Sequence, residues 1–378
     1  MAFELKQGKK KIHIIVGARP NFMKMAPLYR EFKKYPQEFE AKLIHTGQHY
    51  DERMSKFFFD DLQMPIPDEY LEVGSGTHGQ QTARIIERYE KVLLADKPDL
   101  VIVAGDVNST AACALDAVKL HIPVAHVEAG LRSHARTMPE EINRIVTDSI
   151  TDYLLTPSPD ADENLIREGK NPENIYFVGN IMIDSLVQFK KKAQQSEILR
   201  KIAADFKLGS AVFSYALITL HRPSNVDNKK GLLAILNAFK EISQKVKLVF
   251  PIHPRTKKRI KEFELENMVE QMENLLLIPA VGYYDFLKLQ MEADFILTDS
   301  GGIQEESTYF GIPCLTLRPQ TERPITIWEG TNQLVKLETK DIIRAAFQII
   351  EGKRKTGKIP EKWDGITASR IVDIFRDR

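Results

Sequence analysis

The chain has 378 residues, 43% of them hydrophobic, and its 53 basic and 52 acidic side chains leave a formal net charge of only +1. That length exceeds one ordinary core and predicts two domains. The balanced charge excludes a general attraction to nucleic acid or to an anionic membrane, so small polar or anionic ligands are the expected partners.

The first residues, "MAFELKQGKKK", lead into a strand-like run without the apolar segment of a signal peptide, and no stretch of about 18 apolar residues follows later. A soluble cytoplasmic protein is the expectation. Strand-like runs then recur in order: "KIHIIVG", "AKLIHTG", "DLVIVAG", "IPVAHVEAG", "DYLLTPS" and "IYFVGN" in the first half. The second half repeats the scheme with "YALITLHR", "KLVFPIHP", "NLLLIPA", "DFILTDS", "IPCLTLR" and "NQLVKL". Each is followed by a longer segment with helical spacing. Runs that are continuously apolar rather than alternating belong in parallel sheets covered on both faces. The fold class is therefore α/β, two Rossmann-like doubly wound domains facing a central crevice. Domain limits fall at residues 1–185 and 186–361, and the spacing of "WDGITASRIVDIFRDR" predicts a final helix, 362–378, packing back on the first domain. Cys113 and Cys314 lie inside apolar runs and lack metal or disulfide spacing, as small core residues do in a reducing compartment.

Polar and glycine residues gather at the C-terminal ends of these runs, where open α/β sheets bind ligands. After the first strand, "VGARPNFMKMAP" sets Arg19 and Lys24 where a dinucleotide enzyme keeps its glycines, so no redox cofactor is expected. There is no P-loop and no H-E-x-x-H, and the histidines are too scattered for a zinc set, so no metal is expected either. Asp106 in "AGDVNST" and Glu128 in "HVEAG" end strands, and Glu140 and Glu141 in "TMPEEINR" open a helix. A carboxylate at such a place serves as a cap or dipole partner, or as an acid or base whose pKa its surroundings tune. His221 with Arg222 ends "ALITLHR", a pairing suited to a diphosphate. The runs "HPRTKKRIKEF" and "EGKRKTGKIPEKW" read as solvated faces, leaving only His253 and Arg255 near a strand end. In "LTDSGGIQEES", Ser300, Gly301 and Gly302 end a strand and begin a helix, exposing amides and a positive dipole end to an anion. Glu306 lies one turn on, at reach of a pair of ribose hydroxyls, and Arg323 follows a later strand. The residues alone describe a two-domain enzyme acting on a nucleotide-linked small molecule without a redox cofactor.

With these motifs in this order, the sequence resembles the non-hydrolysing UDP-N-acetylglucosamine 2-epimerases. The likeness runs over nearly the whole chain through "GARPNFMKMAPL", "HTGQHYDERM", "GDVNSTAACAL", "HVEAGLRS", "MPEEINRIVTD", "FVGNIMIDSL", "TLHRPSNVD", "PIHPRTKKR", "LTDSGGIQEES" and "TERPITIWEGTNQLV". It implies a glycosyltransferase-B type architecture, a homodimer, a UDP-sugar substrate and a role in surface-polysaccharide precursor synthesis. The reaction it implies eliminates UDP to leave 2-acetamidoglucal and adds UDP back after protonation on the other face. Carried over by position, the resemblance makes Asp106, Glu128, Glu140 and His221 catalytic. It makes Arg19, Lys24, Phe286, Ser300, Gly301, Gly302, Glu306 and Arg323 UDP-binding. Gln48, Glu141, Arg222 and His253 match a second, activating UDP-sugar site. Three departures bear on that activation: Asp51 stands where many members carry glutamine, "VGSGTHGQQT" lacks an arginine, and "HRPSN" replaces "HRRE". The alternatives are a 2-epimerase of UDP-2,3-diacetamido-glucuronic acid, a glycosyltransferase of the same architecture, a hydrolysing epimerase and a non-catalytic binder.

Overall fold

The computed structural model describes residues 8–47 and 66–377. They divide into two compact units, one of residues 1–188 with 361–378 and one of residues 189–360. The first unit holds β1 (Lys10–Val16), α1 (Arg19–Phe32), β2 (Phe39–His45), β3 (Glu69–Tyr70) and α2 (His78–Asp96). It continues with β4 (Leu100–Ala104), α3 (Asn108–Lys119), β5 (Val124–Val127), α4 (Pro139–Ile150), β6 (Tyr153–Thr156), α5 (Pro159–Arg167) and β7 (Ile175–Phe177). Helix α6 (Ile181–Gln194) carries the chain from the first unit into the second.

The second unit holds α7 (Ile198–Asp205), β8 (Tyr215–Thr219), α8 (Lys229–Ile242), β9 (Lys247–Pro251), α9 (Pro254–Glu262), β10 (Leu275–Ile278) and α10 (Tyr283–Met291). Then come β11 (Phe295–Thr298), α11 (Gly301–Phe310), β12 (Cys314–Thr316), β13 (Asn332–Leu334) and α12 (Thr339–Ile350), with short helical turns between. The strand orders are β3-β2-β1-β4-β5-β6-β7 and β10-β9-β8-β11-β12-β13. Every pairing in both sheets is parallel, which bears out the doubly wound α/β reading.

The parallel arrangement follows from burial on both faces of each strand. In β8, Ala216 and Ile218 pack under α8 and α12 with Leu232, Phe239 and Ile342. Their neighbours Tyr215 and Leu217 point to the other face, against Ile202 and Leu289. The first unit repeats this, with Val101 and Val103 of β4 under Ile85, Tyr89 and Cys113. Both cysteines are buried and unbridged.

The final helix, α13 (Thr367–Arg376), belongs to the first unit. Asp184 of α6 caps it, accepting from the amides of Thr367 at 3.1 Å and Ala368 at 2.8 Å. Phe375 packs against Phe32 and Tyr153, and the Trp363 indole donates to the Pro157 carbonyl at 3.0 Å. Among the described residues no helix is long and apolar enough to cross a membrane.

In each sheet the strand order reverses once, between β1 and β4 and between β8 and β11. Such a reversal leaves a crevice at the carboxyl ends of the two strands, because their following helices cross to opposite faces. Lys24 and Asp106 follow the first pair of strands, and His221 and Ser300 follow the second.

Candidate active site

In the first unit, Lys24 from α1 reaches across the β1–β4 reversal and places Nζ 2.5 Å from Glu128 Oε2. Both are buried, at 5% and 3% exposure, so this is a desolvated ion pair rather than a surface contact. Gly105 has φ 68°, a conformation that favours glycine, and a Cβ there would lie 2.9 Å from Lys24 Nζ. Glu128 itself has φ 67°. The left-handed conformation costs a non-glycine residue about 1 to 2 kcal/mol, and at strand ends such strain accompanies function. Among the described residues, Glu128 Oε1 has no hydrogen-bond partner although it is buried. A carboxylate with one oxygen neutralised by a cation and the other bare has a lone pair ready for a proton.

Asp106 follows Gly105 and is paired with Arg144 of α4, whose guanidinium is buried. Asn143 donates to the Asp106 carbonyl at 2.9 Å. The two glutamates that open α4 take opposite surroundings. Glu140 is exposed and makes no hydrogen bond or ion pair with a described residue. Glu141 is 1% exposed and accepts from the Ser133 amide at 2.9 Å, the Ser133 hydroxyl at 2.9 Å, the His134 amide at 2.8 Å and Arg144 at 3.1 Å. Glu141, expected at an activating site, thus holds the 133–134 loop. Arg19 opens α1, with its side chain outside the described part of the structure, and Gln48 lies outside the described residues.

At the end of β2, His45 is 3% exposed, and its Nδ1 accepts from the Gly47 amide at 2.7 Å. Burial lowers its pKa from 6.5 to about 4. The neutral ring is then favoured in the folded state, so this stabilisation is complete above pH 6.5 and is lost as pH falls through 4. A shift of that size corresponds to about 3 kcal/mol. We expect the urea-unfolding free energy of wild type to lose that much more than that of His45→Gln between pH 7 and pH 4. Parallel curves for the two proteins would reject the assignment.

In the second unit, His221 and Arg222 follow the end of β8, and Asp299 and Ser300 follow the end of β11. Asp299 is fully buried and joins the two ends. It accepts from the His221 amide at 3.0 Å, the Arg222 amide at 2.8 Å and the Asn225 side chain at 3.3 Å, and it faces His221 Nδ1 at 3.0 Å. Burial pushes its pKa up, yet the His221 ring and the two amides outweigh this and hold it below the usual carboxylate range. His221 is therefore oriented through Nδ1, leaving its Nε2 edge for a ligand. The His253 ring lies 5.5 Å from that of His221, and its Nδ1 caps α9 by accepting from the Arg255 amide at 3.1 Å. Arg222 Nε donates to the Asp299 carbonyl at 2.8 Å.

Ser300 is the N-cap of α11 without a side-chain capping bond, and no acidic residue stands in the first turn. The first amides of this ten-residue helix thus retain their attraction for an anion. A Cβ on Gly301 would lie 2.8 Å from both Arg323 Nη1 and Glu322 Oε1, so the arginine packs directly against the helix start. A Cβ on Gly302 would meet no heavy atom within 4 Å. Arg323 is held by Glu322 at 2.5 Å and Glu305 at 2.9 Å, and Arg318 supports Glu322 at 2.9 Å. Glu306 is buried and accepts from the Tyr283 hydroxyl at 3.0 Å and Gln290 Nε2 at 2.6 Å. Both donors come from α10, the helix that carries Phe286, which packs partly buried near Ile303 and Leu289. Among the described residues no group of three His, Cys, Asp or Glu side chains could hold a metal ion.

Sequence reasoning gave no role to Asp299, Arg144 or Glu322. Asp299 had a signal, a carboxylate directly before an anion-binding helix start. The other two had none, because their partners are selected only by folding.

Two parallel, doubly wound sheets with charged groups at the carboxyl ends of their strands define an α/β protein of glycosyltransferase-B type. The sequence profile described as UDP-N-acetylglucosamine 2-epimerase matches residues 30–376. A UDP-N-acetylglucosamine 2-epimerase of Methanocaldococcus jannaschii is 45% identical over 367 residues, covering 97% of this chain and 98% of the relative. The UDP-2,3-diacetamido-2,3-dideoxy-D-glucuronate 2-epimerase of Pseudomonas aeruginosa is 40% identical, covering 89% and 91%. The crystal structure of the M. jannaschii enzyme in complex with UDP-GlcNAc and UDP has a TM-score of 0.87 at 44% identity, covering 97% of this chain and all of that one. The chain belongs to the UDP-N-acetylglucosamine 2-epimerase family.

Proposed function

We propose that the protein interconverts UDP-N-acetylglucosamine and UDP-N-acetylmannosamine by eliminating UDP to 2-acetamidoglucal and adding it back. The observation that carries this reading is Glu128: buried, strained, charge-paired through one oxygen and bare at the other. The C2 proton of the sugar is not next to a carbonyl, so it is removed only as the C1–O bond breaks. A carboxylate takes that proton, the bond electrons form the C1=C2 double bond, and UDP leaves with the C1–O pair. In the return step a proton is delivered to the other face of C2 and a phosphate oxygen of UDP attacks C1. Two faces need two acid/base groups, and Glu128 with Asp106 or Glu140 supplies them.

The departing diphosphate needs fixed positive groups that require no reorganisation as charge develops. The start of α11 at Ser300, Gly301 and Gly302, with His221 and Arg323, supplies such groups, and the family resemblance adds Arg19 and Lys24 to the UDP-binding set. Glu306, a buried acceptor already oriented by Tyr283 and Gln290, is assigned to the ribose hydroxyls. Phe286 lies beside the uracil. The same reading makes the protein a cytoplasmic homodimer supplying a surface-polysaccharide precursor. Gln48, Glu141, Arg222 and His253 are assigned to an activating site, in which Glu141 acts through the loop that it holds.

A second reading, epimerisation of UDP-2,3-diacetamido-glucuronic acid, is favoured by the similarity to the P. aeruginosa enzyme. Anomeric proton NMR separates these outcomes. With UDP-N-acetylglucosamine we expect the manno epimer to appear still bearing UDP. Free N-acetylmannosamine with UDP would instead mean hydrolysis, and turnover of the diacetamido-glucuronate alone would favour the second reading.

A further inference from the structure

His126 and Asp148 form a fully buried pair in the first unit that the reaction described above does not use. Asp148 Oδ1 lies 2.6 Å from His126 Nδ1, and His126 Nε2 lies 2.8 Å from the Gly105 carbonyl oxygen. A carbonyl only accepts, and Asp148 is held as a carboxylate. Burial pushes its pKa up, but His126 and Arg132 bring it below the ordinary value. Both ring nitrogens are thus engaged, and the ring has no edge left for a substrate.

The contacts end beside both candidate acid/base residues. Gly105 precedes Asp106, and its amide donates to the Val127 carbonyl at 3.0 Å, so ring and ladder grip this residue from both sides. On the other strand, Asp148 Oδ2 accepts from the Gly130 amide at 3.0 Å and pairs with Arg132 at 2.7 Å. Glu128 is thus confined between a histidine two residues before it and an anchored amide two residues after it. Its left-handed φ persists only where the flanking backbone is held this firmly. Arg144, one turn before Asp148 on α4, pairs with Asp106. One helix face braces both carboxylates.

We propose that His126 and Asp148 are positioning residues for epimerisation, setting the separation of Asp106 and Glu128 without touching the sugar. This rests on the epimerase reading. Misplacing a catalytic group by about 1 Å costs about 100-fold in rate. His126→Asn offers an amide near the Nδ1 position and loses the bond to Gly105; His126→Gln offers one near Nε2 and loses the bond to Asp148. Asp148→Asn keeps the ring and removes the charge.

The measurement is kcat and KM for epimerisation together with C2-proton exchange in deuterated water, on whichever UDP-sugar the wild type turns over. Far-UV circular dichroism and UDP affinity certify each fold. We expect kcat and exchange to fall together by about 100-fold, with KM and UDP affinity within about threefold of wild type. Folded His126 variants with kcat within twofold of wild type would overturn the proposal. Should the variants not fold, the wild type decides by hydrogen exchange: the Gly130 amide is expected to exchange only with global opening, and exchange within minutes at neutral pH overturns the brace. A wild type that turns over neither UDP-sugar removes the epimerase reading, and this proposal with it.

Discussion

Glutamine in place of Glu128 will slow exchange of the sugar C2 proton by about 10²- to 10⁴-fold, the usual contribution of a positioned acid or base. The substitution preserves shape and leaves an amide oxygen to accept from Lys24, so UDP affinity should stay within about threefold. Stability will fall, because Lys24 Nζ is buried 2.5 Å from the carboxylate and would lose its counter-charge. Removing one partner of such a pair costs about 3 kcal/mol. Asp106→Asn should suppress exchange similarly but cost less stability, since Asp106 is partly exposed. Assays belong well below the thermal midpoint of each variant. Wild-type exchange in either folded variant would remove that residue from the acid/base set.

Alanine at Gly302 will weaken UDP binding by about tenfold while leaving the thermal midpoint unchanged or slightly raised. In the protein alone the added methyl meets no heavy atom within 4 Å. Alanine in place of glycine within a helix favours the folded state by up to about 1 kcal/mol. The methyl would occupy space needed by a diphosphate resting on the first amides of α11. Gly301→Ala should differ by lowering both quantities, because its methyl would lie 2.8 Å from Arg323 Nη1 and must displace that guanidinium. Calorimetric titration with UDP beside thermal unfolding separates the two effects. UDP binding at wild-type strength in Gly302→Ala would move the diphosphate elsewhere.

The candidate site was legible where its chemistry is local. "LTDSGG" shows a strand end, a cap and two glycines within six residues, and the open helix start was found there. Glu140 and Glu141 mark the opposite limit. Both stand in the first turn of α4, and a helix turns about 100° per residue, so neighbours face different ways. Only the packing of the 133–134 loop decides that Glu141 is buried and Glu140 is exposed.

The sequence by itself determined the α/β class and the parallel sheets, because a continuous apolar run states burial on both faces without reference to its neighbours. It also determined that charged and glycine residues collect at the strand ends, which is a matter of order along the chain. Tertiary structure alone decided which of those charges meet. Lys24 and Glu128 are 104 residues apart, Asp106 and Arg144 are 38, and His221 and Asp299 are 78. No local propensity encodes such pairs. They follow from the order β1-β4-β5 and β8-β11, which sets distant strand ends side by side, where burial makes each unpaired charge costly.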